Sequence, residues 1–392
     1  MRILIHSVSY PPKVSGVAVF AHSLATRAVA SGHEVLVLTS GPTLTTHVER
    51  SHQPPKGLRV IDLASIRNPY HSQLTVPLVS RKTIDRILDE FRPDVVHGQD
   101  PTPSGLSVAA AARLRGIPVL ATHHFSMELV QAYQPAWLWP LVRGLLQWWL
   151  RRYYDHCQLI TAPSETTAAD VRKLGVTAPV MVLSNGVEID RFTQPVDRAS
   201  IRQRFKLPDD EPVLLFVGRL DPDKSVDVLI RAVAIARATR PVYLVLVGDG
   251  DSANDLRQLA HRLGVAGSVS LTGRIPHDDP LLAGLFMLAD LFVIASTIET
   301  QGIVVIEAMA AGLPVVAANA NALPELVVSG ETGELVEPGD AAAFATAMIA
   351  LIDDPKLRAS LSERARVSVQ PHELNHCLDQ FIAEYRRLLP RI

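Results

Sequence analysis

Several scarcities narrow the field before any motif is read. Only two cysteines, Cys157 and Cys377, occur in 392 residues. They cannot build a disulfide framework, which fits a reducing compartment. The formal net charge of -2 lacks the basic excess that holds a polyanion, so no nucleic-acid partner is expected. No apolar run reaches the about 18 residues that a membrane-crossing helix needs, so none is expected. The opening "MRILIHSVSYPPK" has neither a long apolar centre nor a small-residue cleavage site, and it reads as a first strand rather than a signal peptide. "VGDGD" stops short of a full Gly-x-Gly-x-x-Gly turn, which argues against a nicotinamide enzyme. There is no short internal repeat and no low-complexity tract. Aromatic residues make up 5% of the chain, yet all four tryptophans crowd between Trp137 and Trp149.

What is present describes a folded globular protein: 47% apolar and 20% charged residues. The length exceeds one ordinary core, so two domains are expected. The first half repeats strand, loop and helix. "RILIHSV" is a strand, "YPPKVSG" a loop, "VAVFAHSLATRAVASG" a helix closed by Gly32, and "EVLVLT" the next strand. Further strands fit "DVVHG", "PVLATHH", "LITAPS" and "VMVLSNG". Apolar strands alternating with helices point to parallel sheets covered on both faces.

The pattern restarts at "PVLLFVG" and runs through "VYLVLVG", "VSLTG", "LFVIAS" and "PVVAA". Its strand ends fall at Gly218, Gly248, Gly273 and Ser296. Ligands of open α/β sheets sit beyond the carboxyl ends of the strands, so these ends are expected to border the ligand. The linker falls near "NGVEIDRFTQPVDRA". The domains are placed at 1–188 and 189–372, with an amphipathic helix over about 373–392 expected to pack back on the first.

Two stretches carry the chemistry. In "FVGRLDPDKSVDVLIRAV", Arg219 and Lys224 follow Gly218 in a loop before a helix. Glycine admits a close ligand, and two cations with a helix N-terminus suit a diphosphate. On the residues alone both cations also fit solvated loop charges. In "STIETQGIVVIEAMAAGLPVV", Gly302 and Ile303 open a helix whose first N–H groups suit phosphate oxygens. Glu299 can accept hydrogen bonds from sugar hydroxyls, and Glu307, more than a turn into the helix, can accept two from a ribose. The plainer alternatives are a dipole-favouring charge for Glu299 and an exposed helix residue for Glu307. Asp221 and Asp223 of "DPD" are read as loop charges rather than metal ligands.

Together with "LVGDGD", "LTGRIPH", "SNGVEIDRF" and the N-terminal segment through "EVLVLT", these stretches resemble the retaining nucleotide-sugar glycosyltransferases of the glycosyltransferase family 4 type. The likeness spans nearly the whole chain in order. It implies the GT-B fold, two Rossmann-like doubly wound parallel-sheet α/β domains facing across a cleft. It also implies roles. Arg219 and Lys224 would hold the donor diphosphate after Gly218, and Glu307 the ribose. Glu299 would bind the donor sugar, helped by backbone groups of Gln301, Gly302 and Ile303. Gly273, Arg274 and Ile275 would lie beside the base. Gly16 would let the domains close over the diphosphate; the family often has two glycines there, and this chain has Ser15-Gly16. His124 of "ATHHF" matches a histidine facing the donor sugar, with His123 the adjacent alternative; on the residues alone either fits a buried or capping histidine. No cofactor and no metal is expected. Retention of configuration follows from the family. No carboxylate stands out as a covalent nucleophile, which favours attack from the face of departure.

"PAWLWPLVRGLLQWWLRRYY" has more apolar surface than one buried stripe needs. Arg143, Gln147 and Arg151 share one side of the wheel, and Leu141, Leu145, Leu146, Trp148, Trp149 and Leu150 cover a wider arc. Trp137, Trp139, Trp148 and Trp149 with Arg143, Arg151 and Arg152 suit an anionic membrane surface; a core helix or a dimer contact is the alternative. With "THHFSMELV" and "ETQG", the segment resembles bacterial diacylglycerol glucosyltransferases, although many of those read "HHFMPE" where this chain has "HHFSME". The expectation is therefore a cytoplasmic, peripherally attached enzyme moving glucose from a UDP-linked donor to a lipid hydroxyl such as diacylglycerol. A soluble transferase acting on a sugar or small metabolite, a sugar-nucleotide epimerase and a non-catalytic nucleotide-sugar binder are the alternatives. Oligomeric state is open.

Overall fold

The structure is a computed structural model describing residues 1–13, 15–41, 48–50, 56–68, 71–132 and 134–390. Val14 of the first loop and residues 391–392 of the tail lie outside the described residues. The chain divides into two compact units, residues 1–186 with 375–392, and residues 187–374.

In the first unit the strands are β1 (Arg2–His6), β2 (Glu34–Ser40), β3 (Val48–Glu49), β4 (Leu58–Leu63), β5 (Ser65–Asn68), β6 (His71–Pro77), β7 (Val95–Gly98), β8 (Val119–Thr122), β9 (Leu159–Ala162) and β10 (Val180–Val182). Among the described residues eight of them form one sheet in the order β10-β9-β8-β7-β1-β2-β4-β3. It is parallel except for β3, which runs against β4. β5 and β6 make a separate antiparallel pair. The excursion from β3 to β6 was not foreseen from sequence; β3 and β5 are only two and four residues long, and polar residues interrupt β4 and β6. The helix Gly16–Ala30 follows β1, its first turn capped by the Ser15 hydroxyl, which accepts from Ala18 N–H at 3.1 Å.

The tail forms the helix Leu374–Leu388. From Asn375 on it belongs to the first unit. Its apolar face buries Phe381 and Tyr385 completely. Phe381 meets Phe20 edge-on at 5.1 Å, and Arg27 reaches Asp379 at 2.5 Å.

The second unit holds β11 (Val213–Val217), β12 (Tyr243–Val247), β13 (Val269–Gly273), β14 (Leu291–Ile294), β15 (Val315–Ala318) and β16 (Gly333–Val336). They lie in the order β13-β12-β11-β14-β15-β16, all parallel. Val213 to Phe216 are wholly buried, as expected for a strand covered on both faces. Strand order reverses between β11 and β14, and such a switch point opens a crevice outside the strand ends. It therefore matters which residues follow those two strands.

Candidate active site

The ends of β11, β12 and β13 are laced together through glycine. Gly218 N–H donates to Val247 O and Gly248 N–H to Gly273 O, each at 3.0 Å. Gly248 has φ +140°, and a Cβ there would lie 1.8 Å from Gly218 O. Only a residue without a side chain lets the backbones approach this closely.

Arg219 and Lys224 come from the loop after β11, Glu299 from the loop after β14. Lys224 Nζ donates to Glu299 Oε1 at 2.7 Å and to Ile298 O at 3.2 Å. This ion pair spans the switch point, with both side chains mostly buried at 13% and 16% exposure. Asp223 stands beneath it, 3.5 Å from Lys224 Nζ, and its carbonyl accepts from Thr297 N–H at 3.2 Å. Asp221 and Asp223, read from sequence as loop charges, lie in that loop and are ion-paired within it. Asp223 is buried and Asp221 half-buried, and both receive Arg219, at 3.2 Å in the case of Asp223. They hold the cationic loop in place: an ion pair can be buried only when it is well partnered. Arg219 itself remains half exposed.

The helix Ile303–Ala310 begins just beyond Glu299. Gly302 is its N-cap, with φ +80°, a backbone region that side chains penalise. Gln301 and Gly302 are buried and Ile303 half-buried. Glu307 is 1% exposed, so the exposed-helix alternative fails. Its partner is a residue that sequence reading passed over: His277 Nε2 lies 2.7 Å from Glu307 Oε1. Arg191 Nη1 stands 3.3 Å from His277 Nδ1. Arg191 of "NGVEIDRF" thus reaches His277 of "LTGRIPH", which in turn reaches Glu307 of "IEAMAA". Gly273 takes φ +77°, Arg274 is exposed, and Ile275 packs on the core of the unit.

The hydrogen bond to Glu307 raises the His277 pKa above its ordinary 6.5, against the effect of burial. Folding therefore favours the charged ring. The stabilisation is complete below the ordinary pKa and disappears as pH climbs through the raised one. The ring is 44% exposed, so the effect is small. The Tm gap between wild type and His277→Ala is expected to be about 1–3 °C larger at about pH 6 than at about pH 9. Thermal unfolding across that range checks it, and a gap that does not change with pH would contradict it.

In the first unit, Gly16 opens the Gly16–Ala30 helix, and a Cβ there would meet nothing within 4 Å. Packing inside the chain does not require glycine at this position. The two histidines after β8 part company. His123 is buried, its Nδ1 2.5 Å from the Tyr154 hydroxyl. His124 is half-buried, its Nε2 2.7 Å from Gln99 Oε1. Burial pushes His123 down to about 4 and His124 to about 3, so both are neutral near pH 7.

The tryptophan segment forms the helix Trp139–Tyr154. Its wide apolar arc splits in two. Leu150, Tyr153 and Tyr154 are buried, whereas Trp137 is 80% exposed, Leu141 63%, Leu145 58% and Trp148 60%. Trp139 and Trp149 are half-buried. The Trp149 indole N–H donates to Pro101 O at 2.5 Å, so this ring is turned to the protein rather than outward. Arg143, Arg151 and Arg152 are exposed. Among the described residues no helix is long and apolar enough to cross a membrane.

Two parallel α/β sheets, the second with cations and carboxylates at its switch point, define the GT-B class of two-domain proteins. The model for glycosyl transferases group 1 matches residues 197–368, and that for glycosyltransferase family 4 matches residues 14–191. Glycogen synthase of Mycobacterium tuberculosis H37Rv is 31% identical over 94% of this chain and 90% of that protein. The same organism's GDP-mannose-dependent alpha-(1-6)-phosphatidylinositol monomannoside mannosyltransferase is 30% identical over 90% and 89%. Sulfoquinovosyl transferase SQD2 of Arabidopsis thaliana is 28% identical over 87% of this chain, which spans 64% of that longer protein. Anabaena HepE, solved with UDP-glucose, shares the fold at 22% identity, with a TM-score of 0.76 over 99% of this chain and 100% of that one. The chain belongs to the GT-B nucleotide-sugar glycosyltransferases.

Proposed function

We propose that the chain is a retaining hexosyltransferase that moves glucose from UDP-glucose to the hydroxyl of a membrane lipid such as diacylglycerol, working in the cytoplasm at the inner face of the plasma membrane. The observation that carries the donor half is the Lys224–Glu299 pair across the switch point, with the Gly302-capped helix directly behind it. As the glycosidic bond breaks, the departing diphosphate gains negative charge. Lys224, Arg219 and the amides of Gly302 and Ile303 are the fixed positive partners for it, and preorganised partners of this kind need no metal to do so. In this reading Glu299 releases Lys224 to the phosphate and takes a sugar hydroxyl. Glu307 takes the ribose, Gly273 to Ile275 lie beside the base, and Gly16 leaves room for the diphosphate. His124 takes a hydroxyl of the sugar. With no carboxylate assigned as nucleophile, the leaving phosphate accepts the proton of the incoming hydroxyl.

The acceptor half rests on the outward row of Trp137, Leu141, Leu145 and Trp148, flanked by Arg143, Arg151 and Arg152. An exposed apolar row this large, edged by cations, suits a lipid surface with anionic headgroups. The mannosyltransferase relative, whose name gives phosphatidylinositol monomannoside, supports a lipid-linked acceptor. The expected result is that the chain floats with vesicles containing anionic lipid, and that Trp137→Ala with Trp148→Ala weakens binding about tenfold or more. A soluble acceptor is the second reading, favoured by the glycogen synthase relative. It predicts no flotation and full transfer to a water-soluble sugar. Labelled UDP-glucose with bacterial lipid extract, read by mass spectrometry of the organic phase, decides between them.

A further inference from the structure

Behind His124 runs a chain of buried polar groups that reaches the tail of the protein. Gln99 follows β7, and its Oε1 lies 2.7 Å from His124 Nε2. The other end of the same amide, Gln99 Nε2, lies 3.1 Å from His97 Nε2. The Thr122 hydroxyl is 2.7 Å from that same imidazole nitrogen. On the far side of the ring, His97 Nδ1 lies 2.6 Å from the Tyr385 hydroxyl. Tyr385 belongs to the Leu374–Leu388 helix, nearly 290 residues away in sequence. His97 and Tyr385 are 0% exposed and Gln99 is 1%. Aromatic rings wall the chain: Phe381 stacks on His97 at 5.7 Å, and Phe20 meets His124 edge-on at 5.5 Å.

With the Gln99 amide in this orientation, the contacts set where the protons sit. An amide oxygen only accepts, so His124 Nε2 must carry a hydrogen. An amide nitrogen only donates, so His97 Nε2 must be bare, and it accepts from Thr122 as well. The His97 proton is then on Nδ1, donated to the Tyr385 oxygen. Burial keeps both rings neutral. What the chain controls is therefore the tautomer of each ring rather than its charge. For His124 the consequence is chemical. With the hydrogen on Nε2, its Nδ1 is an acceptor, the type of atom that a sugar hydroxyl needs as a partner.

We propose that Gln99, His97 and Tyr385 are positioning residues that lock His124 in the Nε2–H tautomer, so that Nδ1 accepts a hydroxyl of the transferred sugar. The second half rests on the assignment of His124 to the sugar made above. The C-terminal helix then contributes to sugar recognition through its buried tyrosine, without touching the substrate.

Two-bond proton–nitrogen NMR of the full chain, labelled with 15N-histidine and free of ligand, reads the tautomers directly. His124 is expected to be protonated on Nε2 and His97 on Nδ1. Gln99→Leu and the milder Tyr385→Phe are each expected to give mixed tautomers at His124. Their kcat is expected to fall about tenfold, the size of one lost hydrogen bond. Inhibition by UDP, which lacks the sugar, is expected to stay at the wild-type value. Gln99→Glu keeps an oxygen against His124 Nε2 but sets an acceptor against His97 Nε2, so it is expected to hold His124 on Nε2 while moving the His97 proton off Nδ1. A wild-type His124 protonated on Nδ1 would overturn the proposal. So would an unchanged tautomer and kcat in both Gln99→Leu and Tyr385→Phe. Full turnover by His124→Ala, with the tautomers as assigned, would instead overturn the placement of His124 on the sugar.

Discussion

Lys224→Ala is expected to lower kcat about a hundred- to a thousandfold, the usual cost of removing one preorganised partner of developing charge. The chain should remain folded, with stability reduced by about 1–3 kcal/mol, because Asp223 and Glu299 lose the ammonium between them. Glu299→Ala is expected to be as poor in transfer, since the sugar loses its acceptor. The two losses separate in the double variant. Removing both partners relieves the unpaired charge, so Lys224→Ala with Glu299→Ala should regain part of the stability lost by Lys224→Ala alone. Activity should not return, because the diphosphate and the sugar each still lack a partner. Steady-state transfer and denaturant unfolding of the three variants provide the check. Normal turnover by either single variant would refute the site.

The second large effect is on the fold that carries the site. Gly248→Ala would drive a Cβ to within 1.8 Å of Gly218 O at a residue with φ +140°. No rotamer relieves a backbone clash, so the ends of β11 and β12 must part. The expected loss is at least about 3 kcal/mol, combining steric overlap with a disfavoured backbone conformation. Arg219 follows directly from the displaced strand end, so any protein that folds should also bind UDP weakly. Gly267→Ala is the matched control in the same unit: a Cβ there meets nothing within 4 Å. It should unfold within about 0.5 kcal/mol of wild type. Equal stability of the two variants would contradict the reading of Gly248.

Much of the fold was legible because it is written locally. Continuous apolar strands such as "VLLFV" and "YLVLV" each end at glycine, and these are β11 and β12. Gly248 is there for backbone approach and Gly218 lies against the Phe216 ring, demands that show in one chain position at a time. The loop cations after β11 and the carboxylates around Gly302 were legible for the same reason. Partners distant in sequence were not. Nothing near Glu307 announces His277, 30 positions away, and nothing in "HGQD" announces Tyr385. Asp221 and Asp223 look like loop charges in sequence because loops are usually solvated, yet here the loop folds over its own ion pairs. The tryptophan helix was legible as over-apolar, but which rings face outward depends on Pro101 and on the buried face led by Tyr153 and Tyr154. Wheel geometry alone does not contain those contacts.

The central claim is that the second unit grips a pyrophosphate with Arg219, Lys224 and the first amides of the Ile303–Ala310 helix. A crystal soaked with UDP-glucose tests it most directly. The claim predicts phosphate oxygens within hydrogen-bond reach of both cations and of Gly302 or Ile303 N–H, with the ribose at Glu307. Density for the diphosphate elsewhere on the unit, with Lys224 still locked to Glu299, would contradict it.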